Sequence, residues 1–226
     1  MINNSIYLFL LLAVNLITAQ NNFKKDLGSF KILKIYNGID VELIKSKKNF
    51  VEVSGEKSDK IRFKSDNHKL KILLSFPQTI AEGKVKVILY YNSNIDIIDV
   101  NEGSTLTSKI LKQQNVEIKA QEGSFINMVI DADHLRVKST TGSVVKLSGY
   151  TSNQIVTVDL GANYHGYNLK VNNMNFIRAG SGAKAEVNSG KILDAKVSFG
   201  GSIFYRGKPA VLKVKKVIGG VIESRI

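Results

Sequence analysis

Cysteine is absent from the 226 residues, and histidine occurs only three times. The first absence excludes a disulfide framework, a thiolate zinc site, an iron–sulfur cluster, a cysteine nucleophile and a lipidated cysteine. His68, His134 and His165 are scattered along the chain, which argues against a transition-metal centre, so neither a metal nor another cofactor is expected. The P-loop, H-E-x-x-H, G-x-S-x-G and the G-G-x-G-x-D calcium repeat are missing as well. Residues 180–185 formally fit G-x-G-x-x-A, but a strand pattern follows where a helix N-terminus would have to meet a pyrophosphate. Acidic residues are few: 19 Asp plus Glu face 32 Lys plus Arg, giving a formal charge of +13 and a pI near 9.7. That balance admits nucleic acid, anionic polysaccharide or an anionic membrane surface as partners, and it bears on association rather than on fold. With 43% hydrophobic residues the chain can still bury a core.

Long apolar runs are likewise missing after the first twenty residues. Residues 1–20 carry no charged side chain, and their apolar centre, 6–14, is too short for a bilayer that takes ~20 apolar residues to cross. The pattern predicts a signal peptide over residues 1–19, with Ile17 and Ala19 in the positions a signal peptidase accepts and a polar run following. The product is then exported to the periplasm, the outer surface or the medium, with no transmembrane span in the mature chain. In an oxidising compartment without cysteine, packing alone must hold it together.

What is present is a period. Glycines 103, 123, 142, 161, 182, 201 and 220 recur at intervals of 19 to 21 residues, the mark of a stacked repeat. Before each lies a short alternating segment, as in 116–120, 135–139, 155–158, 176–179, 195–199 and 212–214, rich in Val and Ile. Alternation over four to six residues means strand, with one face in and one out. The predicted fold is therefore all-β, a right-handed parallel β-helix of ~20 residues per coil, each strand pairing with its counterpart one coil on at about 4.8 Å. Handedness rests on the missing hexapeptide rhythm of left-handed coils. Equivalent positions stack: Ser104, Ser124, Ser143, Ala162, Ala183 and Ser202 form a file of small corner residues, and Ile98, Ile118, Val137, Val156 and Ile177 an aliphatic file that belongs inside.

Before Gly103 the period blurs. Longer alternating runs at 30–35, 41–44, 50–53, 61–63, 70–76 and 85–91 predict antiparallel hairpins or irregular coils. Residues 20–100 are accordingly expected to be a strand cluster capping a solenoid over residues 101–226, the two forming one elongated domain. At the far end, Arg206, Lys208, Lys213, Lys215, Lys216 and Arg225 with Pro209 discourage strand addition.

The segment FKILKIYNGIDVEL (30–43), followed by FVEVSG (50–55) and LKI (70–72), resembles the opening of the putative auto-transporter adhesin, head GIN domain family. The resemblance spans about residues 28 to 220. It implies a β-helix, an envelope or secreted location and adhesion, and it carries over no ligand or catalytic residue; Gly38, Ile39 and Asp40 suit a turn and strand entry.

Two functional readings follow. In the first, the protein is a non-catalytic β-solenoid that adheres to an anionic glycan or to an envelope or host surface protein. Lys119, Lys138, Arg178 and Lys196, with Thr157 among them and a one-residue slip at Lys196, would form an outward basic stripe some ~20 Å long. An ordinary solvated strand face would also be lysine-rich. Nucleic acid fits poorly, since aromatics do not interleave with these cations. In the second, the protein is a carbohydrate-active enzyme, a polysaccharide lyase or hydrolase, with Asp99, Glu102 and Glu122 as its acids, the two glutamates being equivalent on successive coils. The run Asp131, Asp133, His134 invites a metal reading but falls between strand blocks, where Asp and His commonly cap turns.

Overall fold

Alternating Val, Ile and Leu fill strands throughout the computed structural model, which describes residues 22–75, 80–81 and 85–225. The predicted signal peptide lies outside the described residues. Seventeen strands form one hydrogen-bonded sheet: β1 (Phe23–Asp26), β2 (Ile32–Ile35), β3 (Asp40–Lys45), β4 (Phe50–Ser54), β5 (Ile61–Asp66), β6 (Lys69–Leu74), β7 (Lys86–Tyr91), β8 (Ile97–Val100), β9 (Thr105–Ala120), β10 (Phe125–Ser139), β11 (Val144–Val158), β12 (Asn163–Ala179), β13 (Lys184–Asn188), β14 (Ile192–Ser198), β15 (Ser202–Arg206), β16 (Val211–Val217) and β17 (Val221–Ser224). Parallel coils stack into a β-solenoid of about seven turns, about 19 residues each.

A coil has three sides. In β10 the buried–exposed alternation breaks at the exposed pair Asp133 and His134, and in β9 at Lys109 with Ile110 and again at Gln114 with Asn115. The chain bends at such breaks, because two neighbouring residues can both point outward only where the pleat turns. The first side follows the glycine corner, the second spans residues such as 130–132, and the third runs into the next corner. On the third side the file Leu33, Ile98, Ile118, Val137, Val156, Ile177 and Ala195 is buried and stacked in register.

The corner itself is a column. Glu102, Glu122, Thr141, Leu160, Ser181, Phe199 and Ile218 have φ between 40° and 55°, and each is followed by a glycine with φ between 68° and 77°. Gly103 donates its N–H to the Glu122 carbonyl, Gly123 to Thr141, Gly142 to Leu160, Gly161 to Ser181 and Gly182 to Phe199. Two consecutive left-handed residues explain why glycine recurs at the second. The column corrects one detail of the sequence reading. The sixth corner is Phe199–Gly200, so the small-residue file ends in Gly201 and Gly220 rather than in Ser202. A Cβ on Gly201 would collide with the Ala179 carbonyl, and one on Gly220 would lie 2.6 Å from the Gly201 carbonyl.

Parallel stacking is not confined to residues 101–226. Strand β2 pairs in parallel with both β6 and β8, and β3 with both β7 and β9. The coil built from β2 and β3 is thus sandwiched between β6–β7 on one side and β8–β9 on the other. Its corner, Asn37–Gly38, joins the column, with φ of 65° and 66° and Gly38 donating to the Glu102 carbonyl. Among the described residues antiparallel pairing is limited to β5 on β6, β4 on β7 and β1 on β4, at the outer end of the stack.

Candidate functional site

The outward positions of the third side bring the basic residues together. Each rung presents two: Ile97 and Asp99 from β8, Glu117 and Lys119 from β9, Arg136 and Lys138 from β10, Ile155 and Thr157 from β11. The series continues with Phe176 and Arg178 from β12, Asp194 and Lys196 from β14, and Lys213 and Lys215 from β16. Lys119, Lys138, Thr157, Arg178 and Lys196 therefore stand in one unbroken file. No slip is needed at Lys196, which pairs directly with Arg178 because the coil between them is one residue short. Glu117 accepts from Lys119 at 3.5 Å and from Lys138 at 3.2 Å, which ties two members of the file to one carboxylate.

Beside this file runs a groove of about 400 Å³. At the break before the third side, an inward residue sits between two outward ones, and stacking repeats that profile on every rung. The floor is Val116, Leu135 and Gln154, all buried. One wall is polar, with Asn115, His134 and Asn153 in register; the Asn153 amide lies 3.4 Å from His134 Nδ1. The opposite wall runs Ile97, Glu117, Arg136, Ile155 and Phe176 in register, and Asp96 lines the end of the groove. The groove thus offers a hydrogen-bonding wall and a wall that is apolar at Ile155 and Phe176 and carries the opposite charges of Glu117 and Arg136, with the file of Lys119, Lys138 and Arg178 beside it, all parallel to the stack.

The candidate acids are engaged elsewhere. Asp99 is buried, and its carboxylate accepts from Lys34 Nζ at 2.7 Å, Asn101 Nδ2 at 3.1 Å and Gln121 Nε2 at 3.3 Å. That hydrogen bond to Asp99 holds the Lys34 ammonium above its ordinary range, against the opposing effect of burial. Tyr36, close by, has its phenol pushed up chiefly by burial. Glu102 Oε2 accepts from the backbone N–H of Asn37 at 3.2 Å and from Asn37 Nδ2 at 2.8 Å, fastening one corner to the next. Glu122 is exposed at the corner above. None of the three acids lines the groove. Asp131 pairs with Lys112 at 2.7 Å, His134 stands in the groove wall, and among the described residues no group of three metal-ligating side chains occurs. The G-x-G-x-x-A run is a corner followed by β13, with no helix.

A smaller hollow of about 290 Å³ lies on the first side around Asn127, Lys146, His165, Tyr167 and Glu186. Its carboxylate is paired: Glu186 accepts from His165 Nδ1 and from Lys184, each at 2.7 Å. Burial would raise the Glu186 carboxyl, but those two partners outweigh it and hold it below the usual range.

Sequence reasoning missed Arg136, Lys213 and Lys215 beside the stripe, and the wall of Asn115, His134 and Asn153. The latter are spaced one period apart, so the repeat could have flagged them. Their role depends on the bend, which the alternation shows only as a break.

A family model described as "Putative auto-transporter adhesin, head GIN domain" matches residues 29–209. Among curated proteins, none matches the chain significantly. Similar solved structures include a putative adhesin from Bacteroides fragilis NCTC 9343, at TM-score 0.81 and 18% identity, covering 90% of this chain and 96% of that one. A putative lipid binding protein from Parabacteroides distasonis ATCC 8503 has TM-score 0.67 at 13% identity over 91% and 96% of the two chains. A putative adhesin from Parabacteroides merdae ATCC 43184 has TM-score 0.63 at 16% identity over 91% and 95%. At such identities the likeness shows a shared fold.

Proposed function

The chain belongs to the putative auto-transporter adhesin, head GIN domain family, and from that premise we propose that it is an exported, non-catalytic adhesive module that engages an anionic surface glycan along the third side of its coil. The observation that carries this is the register: Lys138, Arg178 and Lys196 stand in one file next to an elongated groove. Cations repeated along the stack, one or two rungs apart at about 4.8 Å per rung, meet a polymer with charges along its length better than a compact anion. The engagement of Asp99 by Lys34 and of Glu102 by Asn37 supports a module without chemistry at those acids. Export is supported by the apolar leader pattern of residues 1–19 and by the adhesin names of the family. No described helix is long and apolar enough to cross a membrane.

Binding to an array of anionic glycans, at low salt and again at raised salt, tests the proposal. Affinity should fall as the Debye length shortens, and the triple change of Lys138, Arg178 and Lys196 to Ala should weaken it by about tenfold or more. Salt-insensitive binding, or binding unchanged in the triple variant, removes the third side from the account.

A further inference from the structure

Charge on the third side is not uniform. On the β9 rung Glu117 and Lys119 cancel, on β10 Arg136 and Lys138 add, and on β11 Ile155 and Thr157 carry none. The β12 rung is positive through Arg178, the β14 pair cancels, and the β16 pair adds. From β10 to β16 net positive charge therefore returns on every second rung, about 9.6 Å apart, while on the β8 rung Asp99 is paired with Lys34. Arg136, Lys138 and Arg178 are exposed, as are the uncharged Ile155 and Thr157 of the β11 rung between them, whereas the charged pairs of β9 and β14 are only half-exposed.

From this we infer, resting on the anionic-glycan reading above, that the ligand is a linear glycan of disaccharide repeat, lying parallel to the stack with one sugar per rung and an acid on every second sugar. A sugar in an extended chain advances about as far as one rung, so one acidic sugar in two meets each positive rung. The neutral sugar between them faces Ile155 or the cancelled pair of β9. A chain with an acid on every sugar would place carboxylates beside Glu117 and Asp194, where like charge is unfavourable.

The groove supports a sugar chain over a lipid. A single-headed amphiphile concentrates its charge at one end, whereas Lys119, Lys138 and Arg178 stand beside the groove on three of its rungs. A hydrocarbon tail would also desolvate the wall of Asn115, His134 and Asn153 without returning hydrogen bonds, which is costly for polar groups. Sugar hydroxyls supply those bonds, and the apolar wall at Ile155 and Phe176 receives the C–H face of the ring.

Calorimetric titration of the full chain at low salt decides the matter, with two hexasaccharides of equal length. One is a hyaluronan fragment, which alternates uronate and neutral N-acetylhexosamine; the other is hexagalacturonate, with an acid on each sugar. The hyaluronan fragment should bind about fivefold more tightly despite carrying half the charge, and Arg178→Ala should weaken it by a similar factor. Thr157→Lys places a cation on the neutral β11 rung and should move the preference toward hexagalacturonate. Equal binding of the two sugars, tighter binding of hexagalacturonate, or a ratio unmoved by Thr157→Lys overturns the spacing and leaves the anionic-glycan reading standing. Should neither sugar bind, both fall; binding only to phosphatidylglycerol vesicles would overturn both in favour of a lipid surface.

Discussion

Tyr164 is fully buried inside the solenoid, and its hydroxyl donates to Gln154 Oε1 at 3.0 Å. The ring lies where Gly166 has no side chain, since a Cβ there would sit 2.5 Å from Tyr164 Cε1. Gly166→Ala should therefore destabilise by about 1–3 kcal/mol through overpacking, read from urea midpoints; a shift within error would mean that the ring relaxes freely. Burial also drives the Tyr164 phenol far above its ordinary range. The folded chain thus keeps a proton that the unfolded chain loses above about pH 10, so this contribution is whole below that pH and is lost as pH rises further. Tyr164→Phe should flatten the alkaline fall in stability, and parallel curves for the two proteins would refute the assignment. Two buried groups near Tyr164 have no partner: Gln154 Nε2, a donor, and Asn175 Oδ1, an acceptor, on adjacent rungs. The aliphatic file was legible from spacing alone, but the role of Gly166 was not, because it lies outside the corner rhythm and depends on where one ring goes.

At the level of the corner, serine does more than fit. Ser124 Oγ accepts the Gln121 N–H at 2.9 Å and donates to the Val100 carbonyl one coil back at 2.8 Å. Ser143 repeats this with Thr140 at 3.1 Å and Ala120 at 2.8 Å. Each hydroxyl closes its own turn and staples it to the neighbouring coil. Ser124→Ala should cost about 1–3 kcal/mol, the range for a buried group left without its partner. Ala162→Ser, at the equivalent place where Asp159 N–H meets the Ser139 carbonyl, should return up to about 1 kcal/mol. Chemical denaturation measures both, and a neutral Ser124→Ala would show that small size alone matters there. The file of small residues was visible in the sequence as far as Ala183. Its last member was misplaced by one, because Gly200 and Gly201 are adjacent and only backbone angles tell which is the corner.

The whole molecule has unlike ends. Antiparallel β1, β4 and β5 close one, while at the other β16 leaves Leu212 and Val214 exposed at 45% and 55%, although they stack in register on buried Leu193 and Ala195. Stability in a stacked repeat is a sum of near-neighbour terms, so a coil with one neighbour opens before those with two. Hydrogen exchange should accordingly be fastest in the amides of β16 and β17 and slowest in β10 and β11. Uniform protection along the stack would mean that the solenoid opens only as a unit.

By itself the sequence determined the strands, the period, the glycine corners and the aliphatic interior, since in a solenoid each residue meets its partner at a nearly constant separation. The absence of cysteine and the excess of lysine also followed from it directly. Only the tertiary structure decided that β2 and β3 enter between β6–β7 and β8–β9, because those partners lie at separations unrelated to the period. The same long separation hid the fates of Asp99 and Glu102, which meet Lys34 and Asn37 across 65 residues. The groove, too, arises where the pleat turns, and a bend in three dimensions leaves only a break in alternation along the chain.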